Sequence, residues 1–136
     1  MGYEKNFDAW NEKKKIIHER RPPLQIKAGD VWWCSIGSNV GHEEDGKNEW
    51  HERPVCIIRQ FGSELVWTVP FTSQKQEGFY YVYAPFDLKD NWVMVTHVHL
   101  LSTRRLRRRM GSLTADALVQ ICERLAHLFK TAPPLK

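Results

Sequence analysis

The sequence predicts a small α+β domain. Its centre is a strongly bent antiparallel sheet or barrel of five to six short strands, with an amphipathic C-terminal helix and an extra N-terminal helix. Three observations carry this. Between Val31 and His99, apolar and aromatic runs alternate with turn signals at Phe61-Gly62-Ser63 and Asp90-Asn91. Behind Thr114, the residues Leu118, Ile121, Cys122, Leu125, Leu128 and Phe129 fall on one helical face. The chain of 136 residues is 42% apolar and holds six tryptophans, which suits one domain with one core.

The elements follow in order. Residues 6–20 predict a short helix with Asn6 as N-cap and one thin stripe of Phe7, Trp10 and Ile17; Lys13, Lys14 and Lys15 lie on the other face. Pro22-Pro23 ends it. This segment, residues 1–28, reads as an extension that docks on a main domain of residues 29–136, covering part of a ligand groove or a dimer seam. Gly29-Asp30 turns into a buried strand at Val31–Ile36. Residues 37–52 form a long polar loop, and a loop of that length in a small domain is usually functional.

Further strands are expected at Val55–Arg59, at Leu65–Val69 with Pro70 at its end, at Phe79–Tyr83, and at Trp92–His99. In the last of these, alternation places Val93, Val95, His97 and His99 on one face. Arg104, Arg105, Arg107, Arg108 and Arg109 put five guanidinium groups in six positions, interrupted by Leu106; with Met110 at i+4 this reads as a solvated helical turn with one buried edge. Thr114 caps the final helix, Leu113 staples onto Leu118, and Pro133-Pro134 closes it.

Composition narrows the function classes. A formal charge of +4 and the arginine run favour an anionic partner. Cys34, Cys56 and Cys122 are scattered and odd in number, so they read as reduced thiols in a cytoplasmic protein. The N-terminal residues show no signal-peptide pattern and no apolar run is long enough to span a membrane.

The chemistry concentrates in residues 41–74. Gly41-His42-Glu43 brings an acid, Gly46-Lys47-Asn48 leads to Arg53-Pro54-Val55, and Pro70-Phe71-Thr72-Ser73-Gln74 ends a neighbouring strand. A carboxylate, a guanidinium and a hydroxyl thus come to adjacent strand ends with no cysteine or carboxylate spaced to complete a metal site around His97 and His99. That set suits metal-free and cofactor-free cleavage of a phosphodiester. An arginine fork matches two phosphate oxygens and stays charged, so Arg53 suits stabilisation of a phosphorane better than proton transfer. Thr72 suits a hydrogen bond to the same group. Glu43 suits a general base or an anchor for Arg53; the bland readings are a solvated loop acid and an Arg53 salt bridge to Glu43 or Glu52. Tyr80, Tyr81, Tyr83, Trp50 and Trp67 are available to stack bases.

Residues 29–130 resemble the MazF/PemK toxins of type II toxin–antitoxin systems. The matching features are Gly29-Asp30-Val31, Gly41-x-Glu43, Arg53-Pro54-Val55, Pro70-x-Thr72-Ser73, Arg104-Arg105-Leu106 and Gly111-x-Leu113. The resemblance implies an SH3-like barrel, a homodimer, sequence-selective and metal-independent cleavage of single-stranded RNA, and restraint by a cognate acidic antitoxin. It implies Arg53 and Thr72 as the catalytic pair with Glu43 beside them. His42, Lys47, Ser73, Gln74, His97, Arg104 and Arg105 are the expected RNA contacts. The chain departs from the family in a longer loop before Arg53, in His97 and His99 where Gln and Arg are usual, and in Ser102 where Asp is usual. Two rival readings stand beside this one, a non-catalytic nucleic-acid-binding module and a gyrase poison like the related CcdB toxins.

Overall fold

The computed structural model describes residues 4–131. Helix α1 spans Phe7–His18; strands follow at Asp30–Ser35 (β1), Glu52–Phe61 (β2), Leu65–Thr72 (β3), Tyr81–Tyr83 (β4), Trp92–Met94 (β5), His99–Ser102 (β6) and Leu106–Ser112 (β7); helix α2 spans Ala115–Lys130. The strands form one antiparallel sheet in the order β4-β5-β3-β2-β1-β7, with β6 also paired to β3. The expected mostly antiparallel fold with two helices is present, as an open bent sheet of seven strands.

Both helix starts follow from local chemistry. The Asn6 side chain accepts from Ala9 N at 2.9 Å, and Thr114 Oγ1 accepts from Ala117 N at 3.2 Å, each satisfying an orphan donor of a first turn. Pro133-Pro134 lies outside the described residues.

Two segments take a different secondary structure from the expected one, and both differences have tertiary causes. Trp92–His99 is not one strand, so Val93, Val95, His97 and His99 do not share a face. A 3-10 turn at Val95–His97 divides it. One edge of β3 carries both pieces: Phe71 and Thr72 pair with β5, and Leu65–Thr68 pair with β6. The register differs by three residues between the two pairings, and the three-residue turn absorbs the difference. The arginine run is not a helical turn either. After a 3-10 turn at Thr103–Arg105 it becomes β7, which pairs with β1. Leu106 is fully buried, whereas Met110 is exposed. Edge pairing and side-chain partners outside the local sequence decide this conformation, which is the usual way tertiary context overrides propensity.

The core lies on both faces of the sheet, as strand alternation requires. Val31, Cys56, Val69, Phe71 and Val93 pack with Ile121 and Leu125 of α2; Leu113, Leu118 and Leu128 flank them. Trp32, Cys34, Val55, Ile57, Val66, Leu101 and Leu106 form the second cluster. Burial pushes the Cys34 and Cys56 thiols up to about 12, so they are inert core fillers. Cys122 and Phe129, expected on the buried face of α2, are exposed.

A two-residue hairpin at Phe86–Lys89 holds Asp87 and Leu88 at φ values of 53° and 60°. Left-handed backbone costs a non-glycine residue about 1–2 kcal/mol, and the Leu88 side chain is fully exposed and offsets none of it. Leu88→Gly is therefore expected to raise stability by about 0.5–1 kcal/mol after the added chain entropy, read as a higher urea midpoint at constant slope.

Candidate active site

Arg53 is the second residue of β2 and sits where the polar loop enters the sheet. Its half-buried guanidinium makes three contacts. Nε donates to Asp45 O at 2.9 Å, one terminal nitrogen donates to Phe71 O at 3.1 Å, and the other lies 2.5 Å from Glu44 Oε1. The Phe71 carbonyl immediately precedes Thr72. The β2–β3 register pairs Val55 with Pro70, and two residues further it sets Arg53 against Thr72. Thr72 Oγ1 accepts from Gln74 N at 3.3 Å, which leaves its O–H free to donate outward.

Glu44 joins this strand-end pair to a groove. Its second oxygen lies 3.8 Å from His97 Nε2, while His97 Nδ1 meets Thr96 Oγ1 at 3.1 Å. The groove encloses about 590 Å³; His42, Glu43, Glu44, Thr96, His97 and His99 line it over Val55, Thr68, Pro70 and Leu101. Neither Arg53 nor Thr72 lines it, so Glu44 is the link between them. Among the described residues, no three His, Cys, Asp or Glu side chains gather where a metal ion could be held.

The sequence profile described as PemK-like, MazF-like toxin of type II toxin-antitoxin system matches residues 27–129. The chain belongs to that family. No curated protein sequence matches it significantly. Its fold is similar to the crystal structure of MazF from Deinococcus radiodurans, with TM-score 0.63, 22% identity, and coverage of 82% of this chain and 99% of that one. It is similar also to an endoribonuclease in complex with its cognate antitoxin from Mycobacterial species, with TM-score 0.62, 18% identity, and coverage of 81% and 100%. A MazE-MazF crystal structure from D. radiodurans gives TM-score 0.57 at 19% identity, covering 81% and 97%. At such identities the likeness concerns the fold.

Within this PemK/MazF-family fold the expected site residues separate into two groups. His42, Glu43 and His97 meet at the groove, and Arg53, Thr72, Ser73 and Gln74 stand together at the strand ends. Lys47 is elsewhere in the loop, its backbone bridged to Glu52 in both directions at 2.7 Å. Arg104 and Arg105 do not line the groove. Arg104 donates to His18 O at 2.7 Å and meets Glu64 at 3.3 Å; Arg105 donates to Ser35 O at 3.2 Å and stacks over Trp10.

Arg53 does make a carboxylate ion pair, with Glu44 and not with Glu43 or Glu52, the two partners that the bland reading offered. Glu43 turns back and accepts from Val40 N at 3.0 Å, closing a turn around Gly41. Glu52 is buried and paired with Arg107 and Arg108. The available signal for Glu44 was the run Glu43-Glu44-Asp45, three acids in a loop that must fold back on an arginine.

Proposed function

We propose that this chain is the toxin of a type II toxin–antitoxin pair and a metal-independent endoribonuclease acting on single-stranded RNA in the cytoplasm. The observation that carries the reading is the Arg53–Glu44–His97 chain at the groove mouth, with the Thr72 hydroxyl beside Arg53. A scissile phosphate entering here meets the Arg53 fork and the Thr72 O–H, and bases lie in the groove past His42, His97 and His99. The RNA 2′-oxygen attacks the adjacent phosphorus, its proton passes to Glu44, and the P–O5′ bond breaks. Arg53 and Thr72 hold the charge that builds on the phosphorane oxygens, and His97 beside Glu44 supplies the proton to the departing 5′-oxygen. The products are a 2′,3′-cyclic phosphate and a 5′-OH end. The test is digestion of a long single-stranded RNA by pure protein in EDTA. Discrete fragments with those ends are expected; intact RNA across varied sequences would rule the nuclease reading out.

The same reading includes a homodimer and a cognate acidic antitoxin. Trp67 and Leu100 pair across β3 and β6 and join Ile58 of β2 and Leu125 and Phe129 of α2 around an apolar groove of about 480 Å³. Phe61 meets Trp67 edge to face with ring centroids 4.9 Å apart, and Leu65, Trp67, Leu100 and Phe129 are all exposed. An exposed apolar patch of this kind marks an interface, and a second copy of the chain covers it in this reading. Trp67→Glu is expected to convert a dimer to a monomer of intact secondary structure, read by light scattering behind size exclusion; a wild type that is already monomeric sinks the dimer. The excess positive charge of the chain suits an acidic antitoxin.

A further inference from the structure

The N-terminal helix lies outside the matched residues 27–129, yet, besides meeting Arg104 and Arg105, it and the residues just ahead of it reach the loop that carries Glu44. Lys5, one residue ahead of the N-cap, donates to Asn39 O, to Gly41 O at 2.9 Å, and to Asp45 Oδ2 at 2.9 Å, which uses all three of its N–H bonds. Asp45 Oδ1 accepts from Asn39 N at 2.6 Å, and the Asn39 amide reaches Ile36 O and Glu44 O at 3.1 and 2.8 Å. The Lys5 ammonium therefore sits at the knot of the loop, and its side chain is only 14% exposed. From that knot the Asp45 carbonyl accepts Arg53 Nε.

Two side chains of α1, Trp10 and Lys13, also fasten the loop's stems. A Cβ on Gly37 would lie 2.3 Å from the Trp10 ring, so the glycine, at φ +95°, admits Trp10 against the incoming stem. On the outgoing stem Trp10 meets His51 with ring centroids 5.3 Å apart, and Lys13 pairs with Glu49 at 3.2 Å while lying over Trp50.

We infer that Lys5 is a positioning residue for Arg53, acting through Asp45, and that α1 is the clamp that sets the catalytic loop. The consequence for catalysis rests on the proposed ribonuclease function; the positioning itself does not. A long polar loop has many conformations, and the guanidinium must be held within a fraction of an ångström to stabilise a phosphorane. The clamp removes that freedom by tying one loop to a helix through a charge-assisted node.

The test compares full-length wild type with Lys5→Met, Lys5→Arg and Asp45→Asn. In wild type the Arg53 Nε–H is expected to give a protected NMR signal, and Lys5→Met and Asp45→Asn to speed its exchange at least about tenfold at unchanged circular dichroism. For RNA cleavage, Lys5→Met is expected to lower kcat about tenfold with KM within about twofold, and Lys5→Arg to recover part of the loss. In an Arg53→Lys background, Lys5→Met is expected to cost nothing further, because its effect runs through Arg53. Unchanged Arg53 exchange in Lys5→Met overturns the inference, as does an equal loss of kcat in both backgrounds. If wild type cuts no RNA, the functional reading fails, and the exchange measurement, which needs no substrate, still decides whether Lys5 positions Arg53.

Discussion

Arg53→Ala is expected to lower kcat for RNA cleavage about 10³-fold. Removing one preorganised donor to an oxyanion commonly costs about 10²–10³ in rate, and Arg53 supplies both a fixed charge and a fork of donors. Three partners hold that fork in place before substrate arrives, namely Glu44, Asp45 O and Phe71 O, so little reorganisation opposes its action. Arg53→Lys keeps the charge and loses the fork, and is expected to recover only a small part of the rate. Affinity for an RNA with a 2′-deoxy residue at the cleaved position separates binding from chemistry. A large fall in kcat with affinity within a few-fold places Arg53 in the transition state; equal losses in both make it a binding residue. Paired variants at the two acids sharpen the assignment. Glu44→Gln is expected to cost about 10²-fold in kcat and Glu43→Gln to stay within about threefold, because Glu43 caps a backbone turn while Glu44 faces Arg53. The reverse order would return the acid's role to Glu43.

What was legible in the sequence was what local chemistry decides. The helix caps at Asn6 and Thr114, the Gly29-Asp30 turn and the starts of β1 and β3 follow from side chains that answer neighbouring backbone groups or from alternation along one strand. Arg53 and Thr72 were legible as residues at neighbouring strand ends because a hairpin joins β2 to β3; their exact pairing was not, because a register shift between Ile57 and Arg59 moves Arg53 from opposite Ser73, where the turn alone would put it, to opposite Thr72.

What was hidden depends on partners distant in sequence. The turn at Val95–His97 exists because two pairings on β3 differ in register, and no window of residues 92–99 contains that information. The choice between Glu43 and Glu44 turns on which acid the loop spends on its own backbone. The arginine run read as a helical turn because its apolar residues are four apart, yet its environment is a set of carboxylates and tryptophans from other elements. Arg107 lies 3.9 Å over Trp50, Arg108 lies 5.0 Å over Trp33, and Arg109 meets Asp30 at 3.3 Å.

That environment leads to the largest expected effect on stability, at Glu52. Its carboxylate is buried, 3% exposed, and receives Arg107 at 3.6 Å, Arg108 at 3.3 Å and the Asn48 amide at 3.1 Å. Deleting one member of a buried ionic group leaves the others without compensation and typically costs about 3–5 kcal/mol; because Arg108 is half exposed and can turn to water, Glu52→Ala is expected near the lower end, about 3 kcal/mol. Glu64→Ala, which frees Arg104 from an exposed pair, is expected within about 0.5 kcal/mol. Urea unfolding of the two variants checks both. The same substitution also tests what the arginine run does. In the native protein one buried carboxylate engages two of its guanidinium groups and cancels one of their charges, so the run presents less free charge to an anionic partner than its sequence suggests. Glu52→Ala releases that charge, and the log–log slope of RNA affinity against salt is expected to steepen by about 1–2. A variant that loses stability with an unchanged salt slope would mean that Arg107 and Arg108 face away from the RNA path and serve to anchor β7 beside β1.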